Sequence, residues 1–301
     1  MPQTFTLIAF LALQPGGPTS QPAKGTGAHP TITEVLYDVP GRLAGDANKD
    51  GKRTSGGDEF IELANLSSAP INLKGYTVLD SNAWEAREES LGGTSPGSRG
   101  ARGTSPTATP GSPGAPATPP GTGSPADPGK APAAGGPGGV SPREKQPYDA
   151  PGQHVRFTFP DLTLKPGEVV VVFNGMDSTV PGAVGTAEAA AGENSAFAGA
   201  RVFSMKSMSQ YAALGNDGDW VLLLAPDGTP VQAIWWGTPK VEARPGSATI
   251  WIEAPVGEGS VQLDRASGKF LLHRTLIKNP RGPLFSPGEF GETPEGAKPP
   301  K

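Results

Sequence analysis

The residues best placed to do chemistry lie in a loop near the start of the chain, at positions 45–59. Asp46, Asn48 and Asp50 occupy the first, third and fifth places of an Asp-x-Asn-x-Asp-Gly pattern. Ca²⁺ takes about six to eight oxygen ligands, and alternate side chains on such a loop converge on one centre. The spacing therefore predicts that these three residues bind Ca²⁺.

The second half of the loop would complete the site. Gly51 permits the sharp turn, and Lys52 stands at the seventh place, where a backbone carbonyl ligand is expected. The twelfth place, which holds a bidentate Glu in the usual pattern, is Gly57 here. Asp58 or Glu59, one and two residues later, or a more distant residue must then close the site.

A second interpretation of the loop needs no metal. Asp and Asn side chains can bond their own backbone in Asx turns, which would make the loop a solvated connection between two strands. The basic residues Lys49, Lys52 and Arg53 would also lower the affinity of the loop for a cation. Both interpretations stay open at the level of the sequence, and a bound Ca²⁺ would serve to rigidify the loop.

Two adjacent tryptophans form a second candidate site. Trp235 and Trp236 follow each other on a predicted strand, so their side chains point to opposite faces and one should lie in the core. If Trp236 is exposed, its ring can stack on a sugar or on the apolar surface of a partner. The alternative is that a neighbouring loop or the C-terminal segment covers it. A carbohydrate-binding module is therefore a competing interpretation of the chain.

The residue types favour a protein without an enzymatic activity of its own. The chain has no cysteine, which excludes thiolate nucleophiles, disulfides and zinc–thiolate sites. Its histidines, at 29, 154 and 273, show no metal-ligand spacing. A Ca²⁺-dependent phosphoesterase or nuclease would need more acidic and histidine ligands than the loop supplies. An accessory domain of such an enzyme remains a further alternative.

The charge distribution excludes a nucleic-acid partner. Lys and Arg number 25 against 29 Asp and Glu, for a net charge of −4. Binding to phosphate depends on clustered Lys and Arg, and the basic residues here are isolated or in pairs. The expected partner is a protein or a polysaccharide outside the cytoplasm.

The first thirty residues predict export. An apolar run at 5–13 has the length of a signal-peptide core, and a Pro-, Gly- and Thr-rich stretch follows it to position 30. The run is too short to span a bilayer as a helix, and no other segment is apolar enough to do so. We therefore predict a signal peptide and spacer at 1–30 and a periplasmic, cell-surface or secreted location. The competing interpretation of the apolar run is a first strand.

The rest of the chain is patterned as short strands. β-branched and aromatic residues recur in runs bounded by Gly, Pro, Asn and Asp. These runs predict strands at 31–38, 58–65, 71–80, 154–159, 168–173, 201–204, 220–225, 230–236, 248–252 and 260–265. Many short strands without a convincing amphipathic helix favour an all-β sandwich over 31–265.

Two segments interrupt this domain. The chain holds 43 Gly and 35 Pro, close to the level typical of low complexity. At 83–152 Pro, Gly, Ser, Thr and Ala predominate, and such a stretch cannot bury enough surface to offset chain entropy. We predict a disordered insertion there, an Ala/Gly-rich loop at 174–199 and a C-terminal extension at 266–301. The strands on both sides of the long insertion are predicted to share one core.

Nine motifs follow one another along these strands. They are Ile-Thr-Glu-Val-Leu-Tyr at 32–37, Asp-Glu-Phe-Ile-Glu-Leu-Ala-Asn at 58–65, Ile-Asn-Leu-Lys-Gly-Tyr at 71–76, Leu-Asp-Ser at 79–81, Phe-Thr-Phe-Pro at 157–160, Leu-Lys-Pro-Gly-Glu-Val-Val-Val at 164–171, Leu-Gly-Asn-Asp-Gly-Asp-Trp-Val-Leu-Leu-Leu at 214–224, Asp-Gly-Thr-Pro-Val at 227–231 and Ile-Trp-Trp-Gly at 234–237. In this order they resemble the strands of bacterial lamin tail domains over about 30–265. The resemblance implies an immunoglobulin-like β-sandwich with long disordered insertions. It also implies an exported accessory module without shared catalytic residues, in some members attached to hydrolases or nucleases.

Overall fold

The computed structural model of this chain describes residues 29–92, 152–209, 212–239, 245, 249–279 and 281–290. The described residues form thirteen strands and three short α-helices. The strands are β1 (Thr31–Asp38), β2 (Phe60–Ala64), β3 (Ile71–Asn72), β4 (Thr77–Asp80), β5 (Arg156–Thr158), β6 (Thr163–Leu164), β7 (Val169–Phe173), β8 (Arg201–Ser204), β9 (Gly218–Leu224), β10 (Pro230–Gly237), β11 (Ile250–Glu253), β12 (Gly259–Asp264) and β13 (Lys269–Leu272). The helices are α1 (Ser55–Asp58), α2 (Ser81–Ser90) and α3 (His273–Leu276). The predicted all-β class is confirmed.

Two sheets form the body of the protein. The larger has six strands in the order β13-β12-β1-β2-β7-β8, and the second has five in the order β11-β10-β9-β4-β5, while β3 and β6 form a small separate ribbon. The inner faces share one apolar cluster, which includes Val35 and Leu63 from the larger sheet and Val221 and Trp236 from the second. The chain is therefore a β-sandwich whose core lies between the two sheets.

The central strands of the larger sheet bury both of their faces. In β2, Ile61 and Leu63 point into the core, whereas Phe60 and Ala64 belong to a second apolar cluster on the outer face. Phe197, from the connection between β7 and β8, is part of this outer cluster. Because both faces are covered, β7 is a continuous apolar run rather than an alternating one.

The outer face of the second sheet is covered by α2, a helix that the sequence pattern did not predict. Asp80 caps it, since its Oδ1 accepts a hydrogen bond from the backbone N–H of Ala83 at 2.8 Å. Trp84 of the helix packs in an apolar cluster with Trp220. The prediction of disorder from position 83 onward was therefore wrong for the first turns of the segment. Residues 93–151, the bulk of the predicted insertion, lie outside the described residues.

Each of the two sheets combines strands from before and after position 93. β2 pairs with β7 in the larger sheet, and β4 pairs with both β5 and β9 in the second. Neither sheet could form from one half of the chain alone. Both halves therefore contribute to a single interior.

The chain beyond 265 belongs to the sandwich. β13 pairs with β12 at the edge of the larger sheet, and α3 follows directly. Further on, Phe285 and Phe290 pack against the outer apolar cluster of that sheet. The predicted C-terminal extension at 266–301 was thus wrong for its described part, because these residues complete the sheet and cover it.

Two further predicted segments are the Ala/Gly-rich loop at 174–199 and the signal peptide and spacer at 1–30. Residues 174–199 form an irregular connection with one 3₁₀ turn, Ser195–Phe197, and isolated bridges at Gly185 and Glu193. Of the predicted signal peptide and spacer at 1–30, only His29 and Pro30 fall within the described residues. None of the helices seen in the described ranges combines the length and the hydropathy needed to cross a membrane.

Candidate functional site

The loop predicted to bind Ca²⁺ joins β1 to β2 at one end of the sandwich. A 3₁₀ turn, Arg42–Gly45, leads into it and α1 closes it. Both carboxylate oxygens of Asp46 accept backbone hydrogen bonds, from the N–H groups of Asp50 and Gly51 at 3.0 Å each. The Oδ1 of Asn48 accepts from the same Asp50 N–H at 3.0 Å. The predicted ligands are therefore interlocked through the backbone of their own loop, and Gly51 takes the left-handed conformation that the turn requires (φ 85°).

Asp58 ties the end of the loop to its middle. Its Oδ1 accepts from the N–H of Asn48 at 3.1 Å, and its Oδ2 accepts from the N–H of Thr54 at 2.7 Å. Burial, with a smaller contribution from the charge of Asp46, raises the pKa of Asp58 to about 6. The carboxyls of Asp46 and Asp58 are thus close enough to repel each other. The structure places Asp58, rather than Glu59, in the loop.

The basic residues of the loop point away from its acids. The guanidinium of Arg53 donates to the carbonyl oxygens of Pro40 and Val39 at 3.1 and 2.8 Å. The ammonium of Lys49 donates to the Ala196 carbonyl at 2.5 Å and lies 4.6 Å from the centroid of the Phe197 ring. Neither cation neutralises the carboxylates of the loop directly.

The loop offers oxygen atoms of the kind that a hard cation prefers, but its acidic side chains are not grouped around one point. Asp46, Asn48, Asp50 and Asp58 offer side-chain oxygens, and Lys52 offers a backbone carbonyl. Across the ranges that the structure describes, no three His, Cys, Asp or Glu side chains are grouped closely enough to hold a metal ion. The hydrogen bonds are those of Asx turns, as in the N–H of Lys52 donating to Asp50 Oδ1 at 2.8 Å. Binding of Ca²⁺ would therefore require the acidic side chains to move closer to one another.

A cleft of about 530 Å³ opens beside the loop. Asp50 belongs to both the loop and the wall of the cleft. Its Oδ2 accepts a hydrogen bond from the N–H of Thr179, another residue of the cleft wall, at 3.1 Å. Lys52, Asp177 and Lys206 contribute charges of both signs to the walls. Asp177 and Lys206 have left-handed backbone conformations (φ 51° and 49°), which cost free energy outside glycine. Most of the residues that line the cleft are polar or charged, and Asp50 is one of them.

Buried carboxyl groups lie next to the end of the loop, and of these the sequence pattern named only Glu59, as a possible closing ligand. Glu59 is buried, and its Oε2 accepts from the Nδ2 of Asn174 at 2.9 Å and from the N–H of Leu214 at 3.1 Å. Burial, with smaller contributions from the charges of Asp219 and Asp80, raises the pKa of Glu59 to about 8. Burial also raises the pKa of Asp80 and of Asp219. The loop therefore ends beside a group of buried acids whose pKa values are raised.

The prediction that Trp236 is exposed was wrong. Its side chain is 0% exposed and stacks on the Tyr37 ring, with centroids 4.3 Å apart and planes inclined by 11°. Its Nε1 donates to the carbonyl of Gly215 at 2.7 Å. Trp235, on the opposite face of β10, is half-buried against the cluster that contains Trp84. The prediction that the two side chains point to opposite faces of the strand was correct. Trp236, the residue proposed for stacking, is the one that lies in the core.

Comparison with known proteins identifies no relative. The chain matches no protein-family model, no curated protein and no solved structure. The resemblance to lamin tail domains therefore stays a prediction from the order of the sequence motifs.

Proposed function

We propose that this chain is a non-catalytic, exported structural or binding module of the lamin-tail type, with an immunoglobulin-like sandwich and a loop that binds Ca²⁺. One observation carries the proposal: Asp46, Asn48, Asp50 and Asp58 are gathered on one loop that forms a wall of the cleft. The partner would be a protein or a polysaccharide outside the cytoplasm. A carbohydrate site built on Trp236 is not retained, because that ring is buried.

The electrostatics of the loop support a cation there. Asp46 raises the pKa of Asp58, so these two carboxyls repel each other. Two of the three basic side chains of the loop, Lys49 and Arg53, donate to backbone carbonyls and not to the carboxylates of the loop. A divalent cation would relieve this repulsion. Its binding would displace the proton that the Asp58 carboxyl carries below about pH 6. Binding is therefore expected to weaken as the pH falls through about 6.

A bound Ca²⁺ would act on the cleft through Asp50. This residue accepts a hydrogen bond from the Thr179 N–H across the cleft wall. Fixing the Asp50 carboxylate on a metal would hold the loop and the 177–180 segment in one arrangement. The metal has a positioning role in this proposal and takes no part in a reaction.

The proposal predicts a calcium-dependent gain in thermal stability. With the affinity typical of extracellular modules, a dissociation constant of about 10⁻⁴ to 10⁻³ M, a 5 mM excess of Ca²⁺ stabilises by roughly 1–2 kcal/mol. In a domain of this size that corresponds to a rise in Tm of about 3–6 °C. We expect Asp50→Ala to abolish the rise in a calorimetric scan, because it removes one ligand and the link to Thr179.

The matched control is Asp177→Ala, which removes an exposed carboxylate from the same cleft but not from the loop. This variant should keep the full response to Ca²⁺. Identical melting curves in 5 mM Ca²⁺ and in excess chelator would remove the metal from the proposal.

A further inference from the structure

Two fully buried carboxyl groups face each other on the outer side of the larger sheet. Glu34 of β1 and Glu62 of β2 are register partners in that sheet, and both are 0% exposed. Side chains at directly opposite positions on neighbouring strands are in contact, and like charges there repel each other. In a buried site this repulsion is poorly screened, so the pair favours a state in which it holds at least one proton.

The chain near 286 supplies hydrogen-bond donors to both carboxyls. The N–H and the hydroxyl of Ser286 donate to Glu34 at 2.9 and 3.0 Å. The N–H of Gly288 donates to Glu62 Oε2 at 2.8 Å. Two backbone donors and one hydroxyl, from Ser286 and Gly288, thus converge on the carboxyl pair.

Neighbouring strands complete the cluster. The hydroxyl of Ser260 and the Nε2 of Gln262 donate to Glu34, at 2.5 and 3.1 Å. The hydroxyl of Thr33 donates to Glu62 Oε1 at 2.7 Å. Glu34 therefore accepts four hydrogen bonds and Glu62 accepts two, which makes Glu34 the better site for a negative charge.

The segment 281–290 also contacts the sheet outside the two carboxyls. It forms no strand or helix, and its partly buried Phe285 and Phe290 pack against the apolar clusters of the sheet. The carbonyl of Leu284 accepts from the N–H and the hydroxyl of Ser260 at 2.9 and 3.2 Å. The Ser286 hydroxyl accepts from Gln262 Nε2 at 3.0 Å.

Gly288 brings the segment close to the rest of the chain. It has φ 89°, and a Cβ there would lie 2.4 Å from the carbonyl oxygen of Phe197, so the close approach requires glycine. The two carboxyls accept three of the hydrogen bonds that hold the segment on the sheet.

The charged groups around the pair do not compensate a second negative charge. His273 Nδ1 of α3 lies 3.9 Å from Glu34 Oε1, but desolvation lowers its pKa to about 4, so the ring is neutral above that pH. Glu289, next to Gly288, adds a negative charge that disfavours ionisation of both carboxyls. The guanidinium of Arg265 lies 5.7 Å from the centroid of the Phe290 ring, at the end of the segment.

We propose that Glu34 and Glu62 form a proton-dependent clasp for the segment 281–290. While the pair holds a proton, the three donors of Ser286 and Gly288 dock on it and the segment covers the outer face of the sheet. When both carboxyls are ionised, their repulsion pushes the strands' side chains outward and the segment detaches. The clasp makes exposure of the apolar outer face depend on pH.

The order of ionisation sets the pH range. Burial raises the pKa of Glu34 to about 7, and burial together with Glu34 raises the pKa of Glu62 well above its ordinary value. A carboxyl with a raised pKa in the folded state stabilises that state at low pH and loses this effect as the pH rises through its folded pKa. Glu34 is therefore the first to ionise, and the segment stays docked until the second carboxyl, Glu62, also loses its proton above neutrality.

Hydrogen exchange on the full chain tests the clasp. The exchange of the peptide spanning 281–290 is measured at pH 6 and pH 9 and expressed as the ratio of its chemical exchange rate to its measured rate. While the β7 amides, followed as a reference for global unfolding, stay more strongly protected, this ratio reports release of the segment alone. We expect it to fall at least tenfold between the two pH values in the wild type. A constant ratio in the wild type overturns the proposal.

Substitutions assign the effect to the pair. Glu62→Gln keeps an acceptor for Gly288 and cannot ionise, so its ratio should change less than twofold between pH 6 and pH 9. Glu59→Gln removes an equally buried carboxyl that does not contact the segment, and its ratio should fall as in the wild type. A tenfold fall in Glu62→Gln contradicts the clasp. If Glu62→Gln does not fold, Glu34→Gln takes its place with the same expectation, and the wild-type series decides alone if neither folds.

Discussion

Replacing Trp236 with alanine is expected to destabilise this protein strongly, because the side chain fills the space between the two sheets. The substitution removes a fully buried indole, its stack on Tyr37 and the hydrogen bond from Nε1 to the Gly215 carbonyl. Truncation of a buried Trp typically costs about 3–5 kcal/mol in the free energy of unfolding. The stack joins β1 of the larger sheet to β10 of the second, so the cavity would open between the sheets. Urea unfolding measures the loss.

Two companion variants separate packing from the hydrogen bond. Trp236→Phe keeps a stacked ring and loses the Nε1 donor, so about 0.5–1.5 kcal/mol is expected for the lost hydrogen bond. The Gly215 carbonyl keeps the hydrogen bond that it accepts from the Gly218 N–H at 3.3 Å. Trp235→Ala truncates the adjacent, half-buried ring on the other face and should cost less than Trp236→Ala. A larger loss for Trp235→Ala would mean that the two rings are placed on the wrong faces.

Stability is expected to decrease from pH 4.5 to pH 8.5, opposite to the behaviour of proteins stabilised by ionised carboxylates. Burial raises the pKa of Glu59 from 4.5 to about 8. A raised pKa in the folded state means that folding takes up a proton, so the stabilisation is complete below pH 4.5 and is lost as the pH rises through 8. At about 1.4 kcal/mol per pKa unit, Glu59 alone accounts for a loss on the order of 5 kcal/mol.

The corresponding variant is Glu59→Gln, whose amide can keep the acceptor role toward Asn174 and Leu214 without ionising. We expect its free energy of unfolding, measured in chelator, to exceed that of the wild type at pH 9 and to change less with pH. Glu253→Gln, at an exposed position of β11, is the control and should follow the wild type. A wild type that is more stable at pH 8.5 than at pH 4.5 would show that the buried carboxyls ionise without penalty.

The strand pattern was largely available from the sequence because each strand is bounded by turn residues. β1 and β8 have the predicted bounds. The predicted strand at 71–80 is two strands instead, because Gly75 takes a left-handed conformation (φ 82°) and turns the chain between β3 and β4. Local alternation does not reveal such a turn when apolar residues flank it on both sides.

Helix α2 and the buried carboxyls of Glu34 and Glu62 could not be predicted from local sequence patterns. Residues 81–90 carry Ser and Glu with a single large apolar anchor, Trp84, so the helix depends on its Asp80 cap and on the sheet beneath it. A Glu in a strand is normally assigned to solvent. Glu34 and Glu62 are instead covered by the segment around 286, which is more than two hundred positions away in the chain.

The candidate site, too, could be predicted only where it depends on residues that are close together in the sequence. The Asp-x-Asn-x-Asp-Gly pattern predicted Asp46, Asn48 and Asp50 on one loop and left the closing residue open between Asp58 and Glu59. The structure ties Asp58 to the loop, whereas Glu59 bonds to Asn174 and Leu214. The cleft was not predictable, because its other wall comes from residues around 177 and 206. The pairing of β2 with β7 and of β7 with β8 brings these walls together.

Both the candidate site and the clasp therefore require that the two halves of the chain fold as one sandwich. The direct test is to produce residues 1–120 and 121–301 as separate polypeptides in the same cell, with an affinity tag on one of them. We predict that they purify together in equal amounts, with a strand-rich circular dichroism spectrum and one cooperative melting transition, and that each is unfolded when produced alone. Two halves that purify apart, each soluble and folded, would contradict the shared interior on which the site depends.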